Sequence, residues 1–263
     1  SGGAAYAAVH TAPPGRQLEL PVFDPGVHYG SVYLWYDTHA RRQRLGGYST
    51  TAPAAAKELA RRLERLNCGD WSGGTNGLLD RLGVTAIAVH GGLFTRNGAV
   101  PDRRYFALRG LRQHGWAPTA AAQPIALFTR GRALSTLPVG EPARSRPVFC
   151  QGWYGNTGDG WPMSETHAPF WIYGAGAVRL RVAAPESGYA VGAPTVDGRV
   201  VRGSAVDGTR TLPLGRVARW HVVSLNVPHL VAADGRRVGL RLLSVKVTSP
   251  SRGSRSRRTG SSR

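Results

Sequence analysis

The spacing of hydrophobic residues changes near the middle of the chain, and this change limits the folds available to it. Before about residue 133, apolar residues recur at helical spacing or form short buried runs. After residue 147 they alternate with polar residues, as they do in strands with one face in water. The pattern predicts a multidomain α+β chain: an α/β domain followed by an antiparallel β-sandwich.

The clearest helix signal in the first half is the stretch AAAKELARRLERL, residues 54–66. Its alanines and leucines recur at i, i+3, i+4 and i+7, and its arginines lie on the opposite side. We expect Thr50 or Thr51 to cap this helix and Pro53 to lie in its first turn.

Four further segments complete the predicted first domain. QLELPVF at 17–23 alternates as a strand does, and GLLDRLGVTAIAVH at 77–90 reads as a short helix stopped by Gly83 and then a buried strand. Residues 102–115 predict another helix and residues 124–130 another strand. We therefore place an α/β domain at residues 1–133, and a proline-rich linker at residues 134–147.

The second half has the period of two that is typical of strands. In VRLRV, residues 178–182, two arginines alternate with three apolar residues, and Asp-Gly pairs at 197–198 and 207–208 predict hairpin turns. Short strands with regular turn signals predict a β-sandwich over residues 148–249. Residues 250–263 are rich in arginine and serine, so we expect a disordered basic tail.

The chain is strongly basic, with a formal net charge of +19, and arginine supplies almost all of its positive charge. Much of this excess is consistent with a compositional bias toward arginine, so the charge alone identifies no partner. The tail could be a solvated end, or it could bind an anionic membrane surface or cell-wall polymer. Nucleic acid is the least favoured partner, because no nucleic-acid-binding signature accompanies the tail.

Cys68 and Cys150 are the only cysteines in the chain. Neither has a second cysteine or a histidine cluster at ligand spacing, so the sequence predicts neither a metal site nor a cofactor. A disulfide between them would close a loop of roughly 80 residues, would stabilise the fold by about 4 kcal/mol, and would imply an oxidising compartment. The alternative is two unrelated thiols.

None of the usual catalytic signatures is present: there is no nucleophile elbow, phosphate-binding loop or zinc-protease motif. Four polar residues, Asp24, His28, Asp37 and His39, are close in sequence and could meet as acid, base or metal ligands. The alternative, a solvated loop, is the usual explanation for such a run of polar residues. The sequence therefore predicts no catalytic residue.

The segment FCQGWYGNTGDGWPMSETHAPFWIYG, residues 149–174, is crowded with aromatic rings and glycines. Rigid aromatic faces in a loop are suited to the apolar face of a sugar ring. We consider Trp153, Tyr154 and Trp161 candidate ring contacts, with packing in the core as the alternative. Trp171 lies in the strand-like FWIY and is assigned to the core.

Polar residues near these rings would be needed to bind sugar hydroxyl groups. Asn156 and Asp159 are the candidates, because a carbohydrate site combines an apolar wall with a few polar groups. The predicted glycan site therefore comprises these two residues and the three rings.

Several stretches together resemble the extracytoplasmic region of actinobacterial polytopic membrane glycosyltransferases of the GT-C type. The first is LELPVFDPGVHYGSVYLWYDTHARRQRLGGYSTTAP, in which a Leu-Pro strand leads to a tyrosine-rich stretch and a Gly-Tyr-Ser before a helix. LLDRLGVTAIAVH is similar to the family's helix-to-strand unit, and HGWAPTAAAQPIALFTR to its closing strand. The second half resembles the carbohydrate-binding-module-like β-sandwich that some members carry at the C-terminus.

The resemblance implies an enzyme that takes sugar from a polyprenyl-phosphate donor outside the membrane. The family's catalytic acid lies between its first transmembrane helices, a part that this stretch lacks, so no catalytic residue is carried over. The chain starts at Ser1 and has Met163 as its only methionine, so we expect a fragment. Its partners would be that missing membrane domain and a cell-envelope glycan or polyprenyl-linked sugar.

On this reading, the chain is the extracytoplasmic cap of a membrane glycosyltransferase, attached to the membrane in the full-length protein. It would hold the acceptor glycan without turning it over, whereas the parent protein would be the enzyme. His28, Tyr29 and Tyr33 are candidates to face the membrane-side active site, with packing as the alternative. A disulfide would be permitted outside the cell. The second hypothesis is a glycan-binding or assembly module of a membrane protein that has no transferase activity.

Overall fold

The computed structural model describes residues 8–38, 40–46, 49–94, 102–122, 125–131, 133–134, 136–202, 204–206, 208–233 and 235–248. The protein is a mixed α and β chain in which strands predominate. It divides into two compact units. Unit 1 comprises residues 1–143 and 148–151, and unit 2 comprises residues 144–147 and 152–263.

Unit 1 contains four helices and five strands within its described residues. The helices are α1 (Ser31–Asp37), α2 (Ala54–Glu64), α3 (Thr75–Arg81) and α4 (Arg103–Gln113). The strands are β1 (Arg16–Leu20), β2 (Val84–His90), β3 (Trp116–Ala122), β4 (Ile125–Arg130) and the short β5 (Val148–Phe149). Single 3₁₀ turns cover Ala8–Thr11, His28–Gly30, Arg65–Cys68 and Gly91–Phe94.

Four of these strands form one mixed sheet in the order β1-β2-β4-β3. The β1 and β2 strands run parallel, whereas β4 is antiparallel to both of its neighbours. A parallel pair requires a long crossover connection, and here that connection carries α1, α2 and α3. The central β2 strand is almost completely buried, as its apolar sequence predicts.

The local predictions for unit 1 hold in part. The α2 helix and the buried strand after Gly83 form as expected, and Gly83 has the left-handed φ of +66°. The expected cap is wrong, because α2 starts after Pro53, which takes the N-cap position, and no side chain caps it. The α1 helix and the β3 strand were not predicted.

Cys68 and Cys150 are joined in a disulfide, so the structure supports a bonded pair and not two unrelated thiols. Their Cα atoms are 5.6 Å apart, and each residue is 1% exposed. The Arg103 side chain donates to the carbonyl oxygens of Phe149 and Cys150, at 2.6 and 2.9 Å. These contacts hold residues 148–151 within unit 1.

The segment before Cys68 is anchored as well. The Asn67 side chain donates to the carbonyl oxygen of Val22 at 2.8 Å and accepts from the Val22 amide at 2.6 Å. Gly69 follows in the left-handed region, and a Cβ there would lie 2.1 Å from the carbonyl oxygen of Phe106. Only glycine permits this close approach between the turn and α4.

Unit 2 consists of strands within its described residues. They are β6 (Trp161–Pro162), β7 (His167–Ala183), β8 (Thr195–Val196), β9 (Arg199–Val200), β10 (Ser204–Val206), β11 (Thr209–Asn226), β12 (Val231–Ala233), β13 (Arg236–Val238) and β14 (Arg241–Thr248). The main sheet has the order β6-β14-β7-β11-β8-β9, and β10 pairs with β11. Every pairing within this unit is antiparallel, and β12 and β13 form a separate hairpin.

The period-two pattern of the second half is confirmed. In β7, Val178 and Leu180 are fully buried, while Arg179 and Arg181 are exposed. The first Asp-Gly pair forms the β8–β9 turn, where Asp197 has φ +52° and Gly198 φ +76°. The second pair includes Asp207, which lies outside the described residues.

Two other predictions also fall outside the described part of the chain: the basic tail at 250–263 and the involvement of His39. The helices that the structure describes are all too short or too polar to span a membrane.

Candidate functional site

A buried network of charged side chains lies where β1 and β2 run side by side. The Glu19 carboxylate accepts from Arg44 Nε at 2.7 Å and from Gln17 Nε2 at 2.6 Å. Its other oxygen lies 2.7 Å from His90 Nε2. The side chains of these three ionisable residues are at most 4% exposed. The parallel register of β1 and β2 therefore brings a carboxylate and an imidazole together inside the fold.

Arg44 also forms an ion pair with Asp37 at the end of α1, whose carboxylate is partly exposed. Burial alone would raise the pKa of Glu19, but the hydrogen bond and charge of His90 and those of Arg44 outweigh it. The net result is a pKa below the ordinary value. Glu19 is thus held ionised at neutral pH by its contacts with His90 and Arg44.

An apolar pocket of about 270 Å³ lies beside this network. Its walls come from the β1 region and from helices α1 and α2, and include Phe23, Leu34 and Leu63. Glu19 and Arg44 contribute the charged part of the lining. A concave apolar site with a few converging polar groups and a shifted pKa is the usual form of a small-molecule site.

The three residues expected to face an active site lie in or near this pocket. Tyr33 lines it, but Tyr33 is 2% exposed, and its hydroxyl donates to the carbonyl oxygen of Pro21 at 2.6 Å. The Tyr29 ring is 5.8 Å from that of Phe23, which also lines the pocket, and the exposed His28 ring is 4.2 Å from Tyr29. The Tyr33 side chain is therefore packed inside unit 1.

Two members of the polar cluster considered from the sequence, Asp24 and Asp37, have separate partners in the described part of the chain. Asp24 accepts from the Gly26 amide at 2.8 Å in a local turn, whereas Asp37 pairs with Arg44. Nor is any group of three or more His, Cys, Asp or Glu side chains in the described ranges arranged to hold a metal ion.

Glu19, Arg44 and His90 were not among the site residues predicted from the sequence. A signal was available for two of them: Glu19 interrupts an apolar strand, and His90 ends another. Buried charges are rare unless they are paired, so a charge inside each strand of a predicted sheet suggests a pair.

In unit 2, the glycine-rich segment 152–162 forms a loop that is exposed at residues 155–159 and returns to the sheet at β6. Trp153 lies at its start and is only partly exposed. Its Nε1–H donates to the carbonyl oxygen of Pro169 at 2.9 Å, and its ring is 6.0 Å from that of Phe170. Trp153 thus packs against the sheet, which is the alternative considered for it. Trp171, in β7, is partly buried.

Tyr154 and Trp161 lie at the two ends of the exposed turn, and each is partly exposed. The Tyr154 hydroxyl donates to the carbonyl oxygen of Arg237 at 3.3 Å, and the Arg236 guanidinium lies 5.4 Å from the ring centre. Trp161 pairs with Leu242 in the β6–β14 register. The loop therefore carries one partly buried ring at each end.

Hydrogen bonds within the loop fix its shape. Asn156 Oδ1 accepts from the Gly158 amide at 2.8 Å, and Asp159 accepts from the Thr157 hydroxyl at 2.7 Å. Asp159 also forms an ion pair with Arg241. The Thr157 hydrogen bond and the Arg241 charge outweigh a small burial effect and lower the pKa of Asp159. Asn156 and Asp159 remain exposed to solvent.

The two regions differ in what they can do chemically. The unit 1 pocket can bind a compact, largely apolar group next to an ionised carboxylate. The unit 2 loop can present two aromatic faces and polar groups to a flat polar ligand. Comparison with known proteins adds no assignment: no family profile, curated protein or solved structure matches the chain.

Proposed function

We propose that this chain is the extracytoplasmic cap of a membrane glycosyltransferase and that unit 2 binds the acceptor cell-envelope glycan. The observation that carries the proposal is the ordered loop with Tyr154 and Trp161 at its ends. In this proposal, the antiparallel sheet of unit 2 belongs to a β-sandwich of the carbohydrate-binding-module type. The antiparallel pairing throughout that unit supports such a fold.

The partial exposure of the two rings and the preorganised shape of the loop both favour glycan binding. Partly exposed rings offer a rigid apolar surface on which the C–H face of a sugar can pack. Because internal hydrogen bonds already fix the loop, little conformational entropy is lost on binding. The exposed carboxylate of Asp159 and the amide of Asn156 are placed to bond hydroxyl groups.

The buried disulfide supports an extracytoplasmic location. Disulfides persist in oxidising compartments and are rare in the reducing cytosol. Cys68 and Cys150 are both buried, so their bond is structural and not a reactive surface pair. In the full-length protein, the pocket lined by Tyr33, with Tyr29 and His28 beside it, would face the membrane domain, which would supply catalysis and the polyprenyl-linked sugar.

We predict that Trp161→Ala weakens binding of a cell-envelope oligosaccharide by about five- to tenfold, the effect of losing one aromatic stacking contact. Arabinan, mannan and galactan oligosaccharides would be titrated calorimetrically against wild type and variant. Since stacking is not ionic, the difference should persist at high salt.

Trp35→Ala is the matched control, because Trp35 in unit 1 is 58% exposed and lies outside the loop. Equal losses in both variants, or no binding of any glycan by the folded wild type, would contradict the proposal. Sugar transfer by membranes containing the full-length protein tests the enzyme assignment. Glycan binding without any transfer would favour the alternative, a binding module of a protein with no transferase activity.

A further inference from the structure

One face of the unit 2 sheet carries three cations side by side. Arg179 and Arg181 are two residues apart on β7, and Lys246 lies directly opposite Arg179 on β14. Directly opposed residues of an antiparallel pair project from the same side of the sheet, with Cβ atoms about 5 Å apart. Residues i and i+2 of one strand also share a side and are about 7 Å apart. The register therefore places all three cations on one face.

This face is the solvent side of the sheet. Val178 and Leu180 alternate with the two arginines on β7 and point to the opposite side, where each is 0% exposed. Arg179, Arg181 and Lys246 are exposed. Among the described residues, none of these three side chains forms an ion pair or a hydrogen bond. Their charged groups are therefore available to a ligand.

Hydroxyl side chains flank both arginines on the same face. Thr211 of β11 is directly opposite Arg179, and Arg181 lies between Thr209 of β11 and Ser244 of β14. Each of the three hydroxyl residues is partly exposed. We call the three cations and these three hydroxyl residues the basic face.

The strands that form the basic face carry no negative charge. The sequences of β7, β11 and β14 contain neither Asp nor Glu. Like charges in directly opposed positions, such as those of Arg179 and Lys246, destabilise a sheet. A bound anion would relieve this repulsion, so the basic face has the charge of a surface that binds a polyanion.

We propose that the basic face binds an acidic polysaccharide, a sugar polymer that carries carboxylate groups. Arginine forks match the two oxygens of a carboxylate. Ser and Thr hydroxyls both donate and accept, so they can bond sugar hydroxyl groups beside each carboxylate. Because Arg179 and Arg181 follow one another along β7, a polymer that lies along this strand can contact both of them.

The side chains of the basic face favour this partner over two other polyanions. Membrane-binding surfaces usually add aromatic or large aliphatic anchors, and surfaces for single-stranded nucleic acid add rings on which the bases stack. The six residues of the basic face include neither kind of side chain. They supply instead a hydroxyl group on either side of Arg181 and one beside Arg179.

The first test is a titration with a probe that differs from its control only in charge. Oligogalacturonate and a neutral galactose oligomer of the same length and linkage would be titrated calorimetrically against the wild-type protein. We expect oligogalacturonate alone to bind at this face, and its affinity should fall as salt is added, because exposed charges are screened. Arg179→Gln/Arg181→Gln should weaken its binding at least about tenfold, through the loss of two charged hydrogen bonds.

Arg199→Gln/Arg202→Gln is the matched control. Both of these arginines are exposed and belong to unit 2, and the variant removes the same charge from outside the basic face. It should bind oligogalacturonate nearly as the wild type does. Equal losses in the two double variants, or no loss in either, would mean that net charge or another segment binds the polymer, and would overturn the proposal.

A second measurement needs no substitution. Lys57 and Lys246 are the only lysines in the sequence, and Lys57 is exposed on α2 of unit 1. Lysine acetylation of the wild-type protein would be followed by mass spectrometry with and without oligogalacturonate. We expect the polymer to slow acetylation of Lys246 and to leave that of Lys57 unchanged. Equal rates at Lys246 with and without bound polymer would place the polymer elsewhere.

Two further probes separate the partner classes. Phosphatidylglycerol vesicles and an oligonucleotide would be titrated against the same variants. If either of them bound through Arg179 and Arg181 while oligogalacturonate did not bind, the proposal would be wrong. Trp161→Ala should leave oligogalacturonate binding unchanged, and the basic-face variant should leave the binding of neutral glycans unchanged. This inference and the glycan proposal can therefore fail independently.

Discussion

Replacing Cys68 and Cys150 together by alanine should lower the free energy of unfolding of unit 1 by about 4 to 5 kcal/mol. The two cysteines are 82 residues apart in sequence, and the bond restricts that long loop in the unfolded chain. The segment it closes includes β2, α4, β3 and β4, so most of the unit is constrained. Hydrogen exchange of amides in β2 and β4, measured in urea, would report the loss for this unit.

The control for this prediction is chemical reduction. A reductant should destabilise the wild-type protein by nearly the same amount and should leave the double alanine variant unchanged. A variant that is as stable as the oxidised wild type would show that the bond contributes nothing. Because both cysteines are 1% exposed, a small part of the loss will come from the packing of the shorter alanine side chains.

The spacing of apolar residues and the turn residues predicted those helices and turns whose structure depends mainly on their own local sequence. The α2 helix has its apolar residues at helical spacing, and the β8–β9 turn has an Asp-Gly pair in the required left-handed conformation. The α1 helix was missed because SVYLWYD is aromatic on several sides and shows no polar face. The β3 strand was missed because Pro118 and its alanines carry little strand preference.

The candidate sites depended on contacts between distant residues, which no local pattern contains. Glu19 meets His90 only because β1 and β2 pair in parallel across a long crossover. The cysteine spacing could not decide between a disulfide and two thiols, since it says nothing about distance in the fold. The aromatic loop was located by composition, but only the structure shows that Trp153 packs on Phe170 and that Tyr154 and Trp161 lie at the two ends of the exposed turn.

Replacing Glu19 by glutamine should lower the stability of unit 1 by about 3 kcal/mol, because breaking a buried ion pair leaves its partner charge only partly compensated. The substitution keeps the size of the side chain, so the loss comes from charge. Arg44 would retain Asp37, whose carboxylate is 41% exposed. Hydrogen exchange of peptides from β1 and β2, measured in urea, would report the change.

Glu58→Gln is the matched control. Glu58 pairs with Arg61 on the surface of α2, and the side chains of both residues are more than half exposed. Surface pairs of this kind contribute less than about 1 kcal/mol, so this variant should be close to wild type. If Glu19→Gln were as stable as Glu58→Gln, the buried network would have no net role in stability.

The pH dependence provides an independent test of the same network. The pKa of Glu19 in the folded protein lies below its ordinary value of 4.5, so the folded state holds the carboxylate ionised more strongly than the unfolded chain does. The contribution of Glu19 to the stability of the folded protein is complete at pH values above that ordinary pKa. It is lost as the pH falls through the lowered pKa of the folded state. The stability gap between wild type and Glu19→Gln should therefore be widest at neutral pH and should narrow in acid. A gap that stays constant to the lowest pH at which the protein is folded would mean that the loss comes from packing, and that ionisation of Glu19 does not stabilise the sheet.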